Sequence, residues 1–261
     1  MVNHQAIAIN TLSLPDEIIK WIGHSTIYES SGHSGAKTLY IDRDDGAYLK
    51  IAECGTLHRS YVMQNFFYQQ KLSAPVINYI SADQDYLITT AIKGENGTAK
   101  KYISNPKRLS EVFAQSLRFL HDINVTDFPL EDKMTALIKS AETASISQSH
   151  LDNISEYIGT VDAKAAGEEI GLKRKLLKND VLIHGDYCLP NILFDNWKLK
   201  GFIDLADSGI GDRHYDLAMG LWTLTHNLKT QKYGHHFLDA YGWDDVDEDR
   251  LRICGLLVAI E

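Results

Sequence analysis

Cysteine, positive charge and long apolar runs are all scarce in this chain, and each scarcity excludes something. There are three cysteines, Cys54, Cys188 and Cys254, an odd number with no C-x-x-C spacing. A disulfide framework is therefore not expected, and reduced thiols in a cytosolic protein are. Lysine and arginine total 26 against 35 aspartates and glutamates, a formal net charge of −9. That balance argues against nucleic acid as a partner, since phosphate backbones demand basic surfaces. It is compatible with a cationic ligand. No apolar run reaches the length needed to span a bilayer, and the first residues, MVNHQAIAINTLSLPDEI, lack a basic stretch leading into an apolar one. The expectation is a soluble, cytoplasmic protein without a membrane partner.

What is present is enough for a substantial core. The chain has 261 residues, 44% of them hydrophobic, which suits one large domain or two lobes. Pro15-Asp16-Glu17 opens a short helix, IIKWIG, with acids in its first turn. YESSGHSGAKTLYI then reads as strand, turn and strand, and Arg43-Asp44-Asp45-Gly46 turns into a third strand, AYLKIA. Helical spacing follows in LHRSYVMQNFFYQQKL, and two more strands fall near 76–80 and 86–90. After Gly94-Glu95-Asn96-Gly97 the pattern turns helical, first from Asn105-Pro106 through KRLSEVFAQSLRFLHDI and then from Lys133 to Lys178. Two further helices are expected at 215–228 and 231–241. A β-rich front and an α-rich back, joined near 92–97, make a two-lobed α+β reading.

The densest chemistry lies in residues 181–205, VLIHGDYCLPNILFDNWKLKGFIDL. His184-Gly185-Asp186 follows an apolar strand, Asn191 stands five positions after that aspartate, and Asp204 closes a second strand. Phosphoryl transfer to a hydroxyl needs this set of groups. One aspartate orients the hydroxyl and receives its proton, while an asparagine and a second aspartate hold metal against nucleotide phosphates. Asp186 is thus the candidate catalytic base, and Asn191 and Asp204 are candidate oxygen ligands for Mg²⁺. Lys50, alternating with apolar neighbours in AYLKIA, suits the phosphates of ATP. Ser30 and Ser31 begin a small-residue loop whose hydroxyls and N–H groups suit the same phosphates. His184 reads as a brace for the loop, and the other histidines lack metal-ligand spacing.

At HGDYCLPNILFDNWKLKGFIDL, followed by GIGDRHYDLAMGL, the chain resembles the aminoglycoside phosphotransferases, particularly the 3′-hydroxyl (kanamycin kinase) group. The resemblance extends more thinly to YLKIA, LITTAIKGENG and SLRFLHDI. It implies a protein-kinase-like fold: a small antiparallel β-sheet N-lobe over 1–92 that binds nucleotide, and a mainly helical C-lobe over 93–261 that carries catalysis and substrate. ATP would lie between the lobes, with Mg²⁺ on Asn191 and Asp204. Thr90–Ile92 resembles the hinge that bonds adenine through its backbone, and Asp216 the buried acid that supports the catalytic loop. The implied function is ATP-dependent phosphorylation of an aminoglycoside hydroxyl, most simply the 3′-OH, conferring resistance. A polycationic substrate needs carboxylates, and Asp207, Asp212, Glu156, Asp162 and Glu261 are the candidates.

Three features depart from the family pattern. The helix glutamate that pairs the strand lysine falls near Ser60 or Tyr61 and is absent, which leaves Glu53 as a substitute partner for Lys50. The usual D-x-G-R after the metal aspartate reads Asp204-Leu205-Ala206-Asp207, an arginine exchanged for an acid. The usual acidic, aromatic tail is replaced by LLVAIE, with Glu261 its one acid. Two alternatives stay open beside the aminoglycoside reading: a kinase for another small alcohol or amino alcohol, and a catalytically weak pseudokinase.

Overall fold

The computed structural model describes residues 2–8, 14–30, 36–125, 132–142 and 145–260, with side chains from residue 6 onward. Ser31 and Glu261 lie outside the described residues. The chain forms two compact units, Met1–Lys93 and Gly94–Glu261.

In the first unit six antiparallel strands form one sheet. They are β1 (Val2–Ile7), β2 (Thr26–Ser30), β3 (Lys37–Asp42), β4 (Ala47–Glu53), β5 (Val76–Ser81) and β6 (Gln84–Thr90), in the spatial order β1-β2-β3-β4-β6-β5. Helix α1 (Asp16–Ile22) precedes β2, and α2 (His58–Gln69) joins β4 to β5. Strand β1 is an edge strand that the sequence reading did not anticipate. Alternation along β4 buries Ala47, Leu49 and Ile51 on one face, where they join Ile18 and Ile22 of α1 with Ile27, Leu39, Ile41, Tyr86 and Ile88. Each such aliphatic side chain contributes roughly 1.5–3 kcal/mol by leaving water. The other face of β4 presents Tyr48, Lys50 and Ala52. Glu53, three residues beyond Lys50, falls on the opposite face, so it does not fit as the lysine's substitute partner.

On that second face, Asp85 of β6 is fully buried. Its carboxylate accepts the Leu57 N–H at 2.8 Å, Ser81 Oγ–H at 2.6 Å and Tyr79 O–H at 3.2 Å, which fixes the turn that starts α2. Tyr61 of α2 stacks on Tyr79 at 4.6 Å between ring centroids. Helix α2 is therefore seated by a buried acid and an aromatic pair, with Ser60 and Tyr61 standing where the family pattern has a glutamate.

The second unit begins with β7 (Glu95–Asn96), α3 (Lys100–Ile103) and α4 (Pro106–His121). Asn105 caps α4 and Pro106 occupies its first turn, as the sequence implies. The span 133–178 holds α5 (Lys133–Ala141), α6 (Gln148–Asn153), α7 (Ser155–Ile158) and α8 (Ala163–Lys173). Strands β8 (Val181–Ile183), β9 (Ile192–Asp195), β10 (Lys198–Phe202) and β11 (Gly209–Gly211) follow, then α9 (Arg213–Leu228), α10 (Gly234–Tyr241) and α11 (Glu248–Val258). The β9–β10 hairpin adds β7 at its edge, while β8 pairs antiparallel with β11. Among the described residues, no helix is long and apolar enough to cross a membrane.

Helix α11 corrects the reading of the chain's end as a tail. Asp247 caps it by accepting the Arg250 N–H, and Leu251, Ile253, Cys254, Leu256, Leu257 and Val258 are all buried. Its charges, Glu248, Asp249, Arg250 and Arg252, all fall in its first half, so no single amphipathic stripe runs its length to announce it. Gly255 is needed there, because a Cβ would press on Ile158 of α7.

Candidate active site

Strand β8 delivers His184 to the start of the loop 184–191, and a tight turn at Leu189–Asn191 leads into β9. The backbone of this loop is fastened from below by a fully buried carboxylate. Asp216 Oδ2 accepts the His184 N–H at 2.6 Å, and Oδ1 accepts the Gly185 N–H at 2.9 Å. His121 Nε2 lies 3.3 Å from the same Oδ2, and Tyr241 O–H meets His121 Nδ1 at 2.8 Å. Burial holds the His121 imidazole below its usual titration range despite Asp216 beside it. The neutral ring donates from Nε2 to Asp216 and accepts at Nδ1 from Tyr241.

His184 braces the loop from within. Its Nδ1 accepts the Asp186 N–H at 3.3 Å and its Nε2 donates to the Ile203 carbonyl at 3.1 Å, tying the loop to the residue before Asp204. Gly185 has φ +81°, and a Cβ there would drive into the Asp207 carbonyl. Only glycine satisfies both conditions. Tyr187 is buried, stacks on Phe113 at 4.4 Å and donates to the Phe113 carbonyl at 2.6 Å. Thr223 Oγ1 of α9 accepts the Leu189 N–H at 3.2 Å. Neither contact was anticipated, because each joins residues far apart in sequence.

These restraints bring the three predicted reactive groups together. Asn191 Nδ2 donates to Asp186 Oδ2 at 2.7 Å and to the Asp186 carbonyl at 3.1 Å. The Asn191 carbonyl accepts the Ile203 N–H at 3.0 Å, which sets Asp204 next to the loop. Asp204 takes a left-handed backbone, φ 62° and ψ 55°, and opens a single turn at Leu205–Asp207. An aspartate tolerates that region better than most residues, but it is still uncommon outside glycine. The amide nitrogen of Asn191 is spent on Asp186, so its oxygen is the atom that can face a cation. Cys188 sits among these groups, and burial together with Asp186 pushes its thiol far up.

The predicted substrate acids divide. Asp207, 60% exposed at its side chain, lies beside Gly185 and pairs with Lys133 Nζ at 2.6 Å. Asp212 is corrected outright: it is fully buried and its oxygens are saturated. Oδ1 accepts from His214 N at 3.0 Å and Nδ1 at 2.7 Å, and Oδ2 from Lys178 N at 2.8 Å and Arg250 Nε at 2.9 Å. Burial alone would raise its pKa, but these partners outweigh it and bring the carboxyl to about 2. It caps α9 and cannot reach a ligand. Glu156 is exposed in α7, 3.5 Å from His235, while Asp162 caps α8 through the Lys164 N–H at 2.7 Å. None of the described contacts joins these two acids to the Asp186 loop.

In the first unit Ser30, Thr38 and Lys50 form one cross-strand row, continued by Leu87. Directly opposed residues share a face, so Ser30 and Lys50 are on the same side with Thr38 between them. Thr90 pairs with Ala47 and faces the other way, and Ile92 follows in irregular chain, half-buried.

Residues 30–254 match the model of the phosphotransferase enzyme (APH) family. The chain is 46% identical over 258 residues to a probable aminoglycoside 3′-phosphotransferase of Lactococcus lactis subsp. lactis, covering 98% of each chain. Among solved structures it is similar to an aminoglycoside-3′-phosphotransferase of type VIII, with a TM-score of 0.66 and 22% identity over 87% of this chain and 90% of that one. It is also similar to the aminoglycoside phosphotransferase APH(3″)-Id of Streptomyces rimosus in complex with ADP and streptomycin. That TM-score is 0.64, at 19% identity over 89% of this chain and 88% of that one.

Proposed function

The chain belongs to the phosphotransferase enzyme family, and from that premise we propose that it transfers the γ-phosphoryl group of ATP to a hydroxyl of an aminoglycoside, the 3′-OH, and so confers resistance. The observation that carries the chemistry is the Asn191–Asp186 contact at 2.7 Å, with Asp204 held next to it by the Ile203–Asn191 bond. Asp186 orients the acceptor hydroxyl and takes its proton as the hydroxyl oxygen bonds to phosphorus and the bond from phosphorus to the ADP oxygen breaks. The carboxylate is held by Asn191 on one oxygen, which keeps it turned toward the acceptor rather than rotating.

Mg²⁺ fits the donor set. Asn191 and Asp204 offer hard oxygen atoms, and this ion binds with one or two such protein ligands plus phosphate oxygens and water. When bound, the ion neutralises phosphate charge. Lys50 is assigned to the nucleotide phosphates and Ser30 to the same cross-strand row. The backbone of Thr90–Ile92 is assigned to the adenine, and the first unit to nucleotide binding. Asp207 remains a substrate-facing acid only through its exposed oxygen. An enzyme that consumes ATP and phosphorylates a drug inside its host is assigned to the cytoplasm.

The test is Mg²⁺-dependent ADP release with kanamycin, neomycin, streptomycin and spectinomycin, with Asp186→Asn as control. Turnover on kanamycin and neomycin that disappears in the variant supports the 3′-OH assignment. Nucleotide binding with no drug-dependent ADP release overturns it and points to another alcohol.

A further inference from the structure

The segment from Asp186 to Asp207 carries Asp186 and Asp204, proposed above for proton transfer and Mg²⁺, and then Asp207 at the end of the turn that Asp204 opens. Asp207 is not remote from the loop, because its carbonyl packs on Gly185, the residue before Asp186. Uncompensated, its carboxylate would repel the incoming phosphates. A cation answers it: Lys133 Nζ sits 2.6 Å from Asp207 Oδ1, and the lysine side chain is only 15% exposed.

Lys133 does not reach Asp207 by chance of a long flexible arm. It is the first residue of α5, and Asp132 caps that helix by accepting Thr135 N–H at 3.0 Å and Thr135 Oγ–H at 2.7 Å. Asp132 also bridges to Ile210 in β11, the strand that follows Asp207 and pairs with β8. The start of α5 is therefore pinned to the same two-stranded element that delivers His184. Lys133 is the more deeply sheltered partner and Asp207 the more solvated one, so the acid gains a fixed counter-charge while keeping an exposed face. Such an arrangement costs the lysine solvation, and a surface pair of this kind adds little to stability. Its effect falls on the charge of the site.

We propose that Lys133 is a positioning residue for phosphoryl transfer: it offsets the Asp207 carboxylate and holds the Asp204–Asp207 turn so that nucleotide with its Mg²⁺ can bind. This rests on the phosphotransfer reading above.

The experiment compares the full chain with Lys133→Met, Lys133→Arg and the double variant Lys133→Met/Asp207→Asn. Mg·ADP affinity is read by calorimetry, and KM for ATP and for kanamycin by ADP release. A displaced unit charge near phosphates is expected to weaken Mg·ADP binding and raise KM for ATP about tenfold in Lys133→Met. In Lys133→Met, where Asp207 keeps its charge, KM for kanamycin should change less than KM for ATP, and removing the Asp207 charge in the double variant should recover most of the nucleotide affinity. Lys133→Arg, which keeps the charge, should bind Mg·ADP far better than Lys133→Met, and this holds as a test even if the methionine variant folds poorly. Equal Mg·ADP affinity in all four proteins overturns the proposal, as does a rise confined to KM for kanamycin. If the unsubstituted chain binds Mg·ADP but phosphorylates no drug, the phosphotransfer reading fails while the affinity ratio still decides Lys133. If it binds no Mg·ADP, both fall.

Discussion

Asn191 donates its amide N–H to the Asp186 carboxylate at 2.7 Å, across a loop that is itself suspended from the buried Asp216. On the proposed assignment Asn191 serves two ends, steering the base with its nitrogen and leaving its oxygen for a cation. Replacing it with alanine removes both. Asn191→Ala should lower kcat by about two orders of magnitude and raise the Mg²⁺ needed for half-maximal rate, while Asp186→Asn should cost about three orders. A steady-state titration of Mg²⁺ against rate separates the two. An Asn191→Ala enzyme with unchanged Mg²⁺ dependence would remove the asparagine from the metal assignment.

Gly185 has no room for a side chain. Its φ of +81° is in the left-handed region, and the Asp207 carbonyl occupies the space of a Cβ. Gly185→Ala must either strain the loop, at about 1–3 kcal/mol for the backbone alone, or push the Asp204–Asp207 turn away. Loss of turnover should therefore exceed what the drop in Tm accounts for. Thermal unfolding and ADP release on one preparation decide this. A variant with normal rates would show that the turn moves without cost to the site.

How much of this was legible beforehand follows the distance over which each contact acts in the chain. The nearness of Asp186, Asn191 and Asp204 could be read because strand, turn and polar side chains sit within one short segment, each placed by its neighbours. The buried role of Asp216 was legible through the resemblance, and the structure shows its carboxylate on the two loop N–H groups. Asp212 was misread because an acid following a strand looks the same whether it faces solvent or caps a helix. Its identity was settled by Arg250, 38 residues away. Lys133 was invisible for the same reason, since it meets Asp207 across 74 residues. Helix α11 escaped because its charges crowd its first half while Ile253–Val258 is buried without a polar face.

The cysteines differ in accessibility by design of the fold. Cys54 is exposed, Cys254 is buried, and Cys188 is only partly open. Burial pushes the thiols of both Cys254 and Cys188 well up, and Asp186 adds to the effect at Cys188. The thiolate is the reactive form, so neither reacts near neutral pH. A colorimetric disulfide reagent at pH 8 should titrate one thiol rapidly in the native protein and all three after denaturation. Fast modification of Cys188 with loss of activity, followed by peptide mapping, would contradict the protected setting of the loop.

Asp212 couples α9 to α11 through charge, and its loss should appear in stability rather than in substrate binding. The carboxylate takes donors on both oxygens, and Arg250 is itself buried beside it. In Asp212→Asn the new amide nitrogen must face one of those donors, and the guanidinium loses its counter-charge. Breaking a buried pair in this way costs about 3–5 kcal/mol. The pH dependence has a defined sign. The folded-state pKa is depressed to about 2 from an ordinary 3.8, so the unfolded chain takes up the proton first on acidification. The stabilisation, about 2 kcal/mol, is complete above roughly pH 4 and disappears as the pH falls toward 2. Urea midpoints at pH 7, 4 and 2.5 should therefore fall steeply for the parent chain and less steeply for Asp212→Asn, with the curves converging at low pH. KM for kanamycin in the variant, measured where it remains folded, should match the parent. A variant of parental stability with a raised KM would return Asp212 to the substrate and remove it from the frame beneath the loop.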